Sequence, residues 1–114
     1  MACAAAVATI RAIRDEELLR SAQLRGAQLV KGPRQLQSQF PRIGDVRGLG
    51  LMVGVEFTDP PGKPDSGRAK AVQAACLDEK LLMPSCGTWD NVARSVPPLV
   101  VSAAQIEAGL RRFE

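Results

Sequence analysis

A chain of 114 residues that is 46% hydrophobic and 24% charged fits one domain with a single modest core. Its mildly basic balance is 15 Lys and Arg against 12 Asp and Glu, with acids such as Asp15, Glu16 and Glu17 interleaved among the bases, and only four residues are aromatic; nucleic acid is therefore not an expected partner. Three widely spaced cysteines (Cys3, Cys76, Cys86) and no histidine leave no CxxC pair, no disulfide framework, no metal site of the usual ligands and no imidazole base, a pattern that suits a reducing, cytosolic setting.

The opening "MACAAAVATI" has no positive charge ahead of its apolar stretch, so it does not read as a signal peptide. No stretch approaches the roughly 20 apolar residues that span a bilayer, so no membrane partner is expected. Residues 2–14 are alanine-rich, with Val7, Ile10 and Ile13 on one face of a predicted helix. No capping residue precedes Ala2: the helical pattern is already running, which suggests missing upstream sequence. A second helix is predicted over about 16–31, with Leu18, Leu19, Ala22, Leu29 and Val30 inward and "DEE" at its start. "KGP" at 31–33 should interrupt it, with a short helix resuming through Leu36 until Phe40 and Pro41.

From residue 43 the texture changes. In "IGDVRGLGLMVGVEF", Leu51, Val53, Val55 and Phe57 alternate with Met52, Gly54 and Glu56, the period of a half-buried strand. "DPPGKPD" at 59–65 reads as a loop that stays outside any sheet. A third helix follows at about 66–79 with Ala69, Val72, Ala75 and Cys76 inward. Strands are predicted at 81–85 and 92–96, joined by "CGTWDN". Ser102 and Gln105 form a capping box for a last helix whose apolar face is Ile106, Leu110 and Phe113. The order implies an α+β fold, helices packed on a short, mainly antiparallel sheet.

Arg94 is the sharpest candidate site residue. If Val92, Arg94 and Val96 share a strand face, a guanidinium sits among valines. A half-buried cation needs a partner, and arginine's planar fork suits a carboxylate, either a protein acid or a ligand's. "VRGLGLMVG" precedes a strand and does not open a helix, so its glycines fit close backbone approach better than phosphate binding. Cys86 has no histidine to activate it. None of the four lysines lies in an obviously apolar pocket suited to Schiff-base chemistry. The residues alone thus supply no catalytic set and no metal site.

Three stretches, "MACAAAVATI", "IGDVRGLGLMVGVEF" and "CGTWDNVARSVPPLVVS", keep the order and spacing of a known family over nearly the whole chain. Together they resemble the C-terminal domain of the class III pyridoxal-phosphate-dependent aminotransferases, most nearly the 4-aminobutyrate type. The resemblance implies that residues 1–114 are the small C-terminal domain of a fold type I enzyme, with 2–14 the remainder of a connecting helix. It implies a cytoplasmic homodimer that uses pyridoxal 5′-phosphate to move an amino group from an amino acid or ω-amino donor to a 2-oxo acid. The family arginine matched by Arg94 binds the substrate carboxylate. Ala93 stands where the family usually has a larger aliphatic residue, and Gly32 and Pro33 interrupt a helix that is longer in relatives.

The family's cofactor lysine, pyridine-facing acid and phosphate loop all match upstream of Met1, so no catalytic or cofactor-binding residue is expected in this chain. As it stands it is read as an inactive fragment. Two other readings remain at this stage: a stand-alone, non-catalytic module that binds a small carboxylate or a partner, and a piece of a related decarboxylase or aminomutase.

Overall fold

The computed structural model describes residues 1–60 and 62–114, so Pro61 of the predicted 59–65 loop lies outside the described residues. Among the described residues, four helices and five strands follow in the order α1 (Ala2–Asp15), α2 (Leu18–Gln39), β1 (Ile43–Leu49), β2 (Met52–Asp59), β3 (Lys63–Pro64), α3 (Ser66–Asp78), β4 (Ser85–Cys86), β5 (Val92–Ser95) and α4 (Ala103–Phe113). The antiparallel sheet runs β1-β2-β5-β4, with β3 paired to the end of β2. This is the α+β arrangement that the chain order predicted.

The strands form where apolar and polar residues alternate. Val46, Val53, Val55, Phe57 and Ala93 point to one face and are buried with Leu29 of α2, Ala69 and Cys76 of α3, and Ile106 of α4. β1 and β2 are joined by the two-residue turn of Gly50 and Leu51, with Gly50 at φ +54 as a type II′ turn requires of its first position. α2 lies directly on this turn: a side chain on Gly26 would run into the backbone of Gly50.

α2 corrects the expected break at 31–33. It continues through Gly32 and Pro33 to Gln39 as one helix. An internal proline costs a helix about 3 kcal/mol locally, but both residues are buried here. A Cβ on Gly32 would lie 2.6 Å from Leu110 Cδ2, so the glycine admits α4 against α2. Pro33 lines an apolar cavity of about 70 Å³ with Leu29, Val53, Ile106, Leu110 and Phe113. Packing against the sheet and α4 outweighs the local penalty. Leu19, expected inward, is exposed near the start of this helix.

Three other expectations shift. The 59–65 segment does enter the sheet, because Lys63–Pro64 extends the ladder beside Thr58 and Asp59, beyond the start of β5. Pro64 is tolerated there because the pairing is a two-residue edge. Of the predicted 81–85 strand only Ser85 is laddered, with Cys86 just beyond it; Met83 is buried without strand pairing, and β5 stops at Ser95 instead of 96. Ala75 is exposed, since Ala69 and Cys76 define the buried side of α3.

Helix ends follow their caps. Asp65 accepts a hydrogen bond from the Arg68 amide at the start of α3 (2.8 Å). Ser102 and Gln105 complete the reciprocal capping box of α4, at 3.2 and 2.9 Å. α1 buries no residue and leaves Val7 and Ile10 exposed. No described helix is long and apolar enough to cross a membrane.

Candidate functional site

The same alternation that buries Val53 and Val55 places the intervening residues on the sheet face away from the core. Cross-strand register sets them in rows. One row is Asp45, Glu56, Val92 and Cys86; the next is Arg47, Gly54 and Arg94; Leu49 and Met52 follow. Gly54 therefore lies between two arginines and contributes no side chain between them.

Arg94 is held by its strand. Its amide donates to the Pro84 carbonyl at 2.9 Å, and its residue partner on β2 is Gly54. The expected surround of valines is only half present: Val92 shares the face and is buried, whereas Val96 lies past the strand end and is exposed. Ala93, the small residue behind Arg94, is fully buried in the core. Among the described residues no acid forms an ion pair with Arg94, and its Nε is buried without a hydrogen-bond partner. The internal-acid alternative therefore has no counterpart here.

Arg47 is the opposite case. Its Nη1 donates to Asp45 Oδ2 at 2.7 Å and to Glu56 Oε2 at 2.5 Å. The Asp45 and then the Glu56 hydrogen bond hold the guanidinium's proton more firmly than usual. The Arg47 hydrogen bond, reinforced by Asn91, holds the Glu56 carboxyl below the ordinary carboxylate range.

Asn91 fixes the approach to β5. It is only 2% exposed, and its Nδ2 donates to the Phe57 carbonyl at 3.0 Å and to Glu56 Oε1 at 3.2 Å. The Phe57 amide donates in return to the Asn91 carbonyl at 2.8 Å. The preceding turn, with Gly87 at φ +87 and Asp90 at φ +51, carries the exposed Trp89.

Sequence reading singled out Arg94 and passed over Asp45, Arg47, Glu56 and Asn91, which share or adjoin its sheet face. A signal was available: a two-residue turn at Gly50 and Leu51 by itself sets Arg47 opposite Gly54 and Asp45 beside Glu56. The other candidates are not gathered here. Lys31, Lys63, Lys70 and Lys80 are all exposed, and the glycines of "VRGLGLMVG" build a hairpin. Cys86 sits beside Val92 on β4, and no group of three potential metal ligands occurs among the described residues.

Comparison with known proteins shows the family and the fold. The family model described as "Aminotransferase class-III" matches residues 1–114. The chain is 39% identical to the 5-aminovalerate aminotransferase DavT of Pseudomonas putida, covering 100% of this chain and 27% of that protein. It is 38% identical to the 4-aminobutyrate aminotransferase GabT of Escherichia coli, covering 96% and 26%. Among solved structures, a Bacillus anthracis aminotransferase superposes with a TM-score of 0.88 at 27% identity, over 98% of this chain and 26% of that one. The chain thus spans about a quarter of the length of these relatives. With the family matched end to end and the fold shared, the chain belongs to the class III aminotransferases.

Proposed function

We propose that this chain is the small C-terminal domain of a pyridoxal-phosphate-dependent aminotransferase, with α1 the remainder of a connecting helix, and that Arg94 binds the carboxylate of the amino donor and of the 2-oxo acid acceptor. The observation that carries this reading is a guanidinium with a buried, unpartnered Nε, on the β5 residue registered opposite the side-chain-free Gly54. Such a group lacks its anion, and a carboxylate supplies two acceptor oxygens in the geometry that the fork offers.

The named relatives act on 5-aminovalerate and 4-aminobutyrate, which supports an ω-amino acid as donor here. The family resemblance supports a homodimer, and the lack of a disulfide framework supports a reducing, cytoplasmic setting. Pyridoxal phosphate supplies the electron sink for amino-group transfer in this family. The residues of this chain do not fit a site for it: all four lysines are exposed. The cofactor therefore belongs to other segments of the whole protein, and this chain's part is to recognise the substrate's acid end.

The test is Arg94→Lys and Arg94→Ala in the pyridoxal-phosphate-loaded protein that carries this chain. Loss of a two-point, charge-assisted contact predicts KM for the amino donor raised about 10- to 100-fold, with lysine milder than alanine. Unchanged KM in both variants contradicts the assignment. A protein that binds carboxylate through Arg94 and turns over no amino donor supports the non-catalytic module instead.

A further inference from the structure

The register places Glu56 in an even-handed position. It stands on the central strand, diagonal to Arg47 on one neighbour and to Arg94 on the other, because Asp45 and Val92 are its direct partners. Diagonal neighbours on one face are about 7–8 Å apart, within reach of long side chains. Yet the carboxylate bonds to Arg47 and Asn91 and leaves Arg94 alone.

We propose that Arg47 is a positioning residue that holds Glu56 away from Arg94, so that Arg94 stays free for a ligand carboxylate. Arg47 takes Glu56 Oε2 and Asn91 takes Oε1, which occupies both oxygens. Asp45 braces Arg47 from its own strand. Without Arg47, Glu56 Oε2 loses its side-chain donor, while Arg94 Nε on the same face has no acceptor among the described residues. The two then satisfy each other, and Arg94 is occupied by an internal acid. Arg47 is 55% exposed, so it contributes by directing a carboxylate more than by packing.

The consequence for binding rests on the carboxylate reading of Arg94, but the re-pairing does not, and the two are read separately. Using the full chain, the Arg94 Nε–Hε signal is followed by ¹⁵N NMR without ligand. In Arg47→Gln, and in Arg47→Met as a second variant should one fail to fold, the signal moves downfield; in Arg47→Gln/Glu56→Gln it returns to the wild-type position. In Glu56→Gln alone it stays put. An unmoved signal in the folded Arg47 variant, no return in the double variant, or movement in Glu56→Gln overturns the proposal.

Butyrate is then titrated as the probe. Arg47→Gln binds it roughly two- to fivefold more weakly than wild type, the range that an exposed ion pair supports, and the double variant recovers. A merely structural Arg47 gives no such rescue, and its absence overturns the proposal. Wild-type chain that shows no butyrate response at Arg94 overturns the carboxylate reading while leaving the ligand-free result to decide the re-pairing.

Discussion

Arg47 and Arg94 lie in one cross-strand row on either side of Gly54, yet among the described residues Arg47 is bonded to two acids and Arg94 to none. Two chemically identical groups on one sheet face thus have opposite electrostatic surroundings. Arg47 completes a local network. Arg94 pairs with no acid among the described residues, which is what its proposed carboxylate role requires.

The gap between them is itself a testable feature. A Cβ on Gly54 would sit 3.2 Å from Val92 Cγ1, a tight contact, and a larger side chain would fill the space beside Arg94. Gly54→Leu is expected to reduce carboxylate binding more than Gly54→Ala does. Titration of both variants with a short monocarboxylate, alongside melting curves, separates the loss of room from loss of fold.

Asn91 ties β5 to β2, and its removal leaves the Phe57 carbonyl without that side-chain donor. Because the Phe57 carbonyl keeps the Asp65 amide as a donor, Asn91→Ala is expected to lower stability by about 1 kcal/mol, the net worth of the hydrogen bonds lost. Urea denaturation at neutral pH, followed through Trp89 in the adjoining turn, measures it. A change below a few tenths of a kcal/mol contradicts the assigned role.

The glycines that admit close packing predict a ranking. At Gly26 the obstacle to a side chain is the Gly50 backbone, whereas at Gly32 it is the end of the Leu110 side chain, which can rotate. Gly26→Ala should therefore destabilise by about 2 kcal/mol or more, and Gly32→Ala by clearly less, since overpacking costs about 1–3 kcal/mol and alanine regains helix propensity. Equal melting temperatures for the two variants contradict this packing account.

Acid titration gives a prediction of definite sign. Glu56 is held below its ordinary value by Arg47 and then Asn91, so folding favours its ionised form. Its contribution is present above the unfolded value of about 4.3 and is lost as pH falls through the lower folded value. Asp65, lowered chiefly by the Arg68 backbone amide, acts in the same direction. Glu56→Gln should flatten the acid limb of a stability–pH curve while leaving its shape above pH ~6 unchanged. A wild-type acid limb in that variant contradicts the network.

Much of the fold was legible because its signals are local. The alternation of Leu51, Val53, Val55 and Phe57 and the Ser102–Gln105 capping box both appear in the structure as read. The continuity of α2 was not, because its cause is distant: Leu110 and the core face of β2 stabilise a helix that Gly32 and Pro33 locally oppose. The site divides in the same way. Arg94 was visible as a lone cation in an apolar strand, but its lack of a protein acid depends on which of two arginines Glu56 chooses. That choice requires the register of three strands, and single-strand periodicity does not contain it.

The most direct test of the central claim is to titrate the full chain with 5-aminovalerate while observing the Arg94 Nε–Hε resonance, with Arg94→Lys as the control. A saturable downfield shift confined to Arg94, and binding weakened at least fivefold in the lysine variant, is the result expected from a carboxylate receptor. No shift at Arg94, or equal binding by the lysine variant, contradicts it.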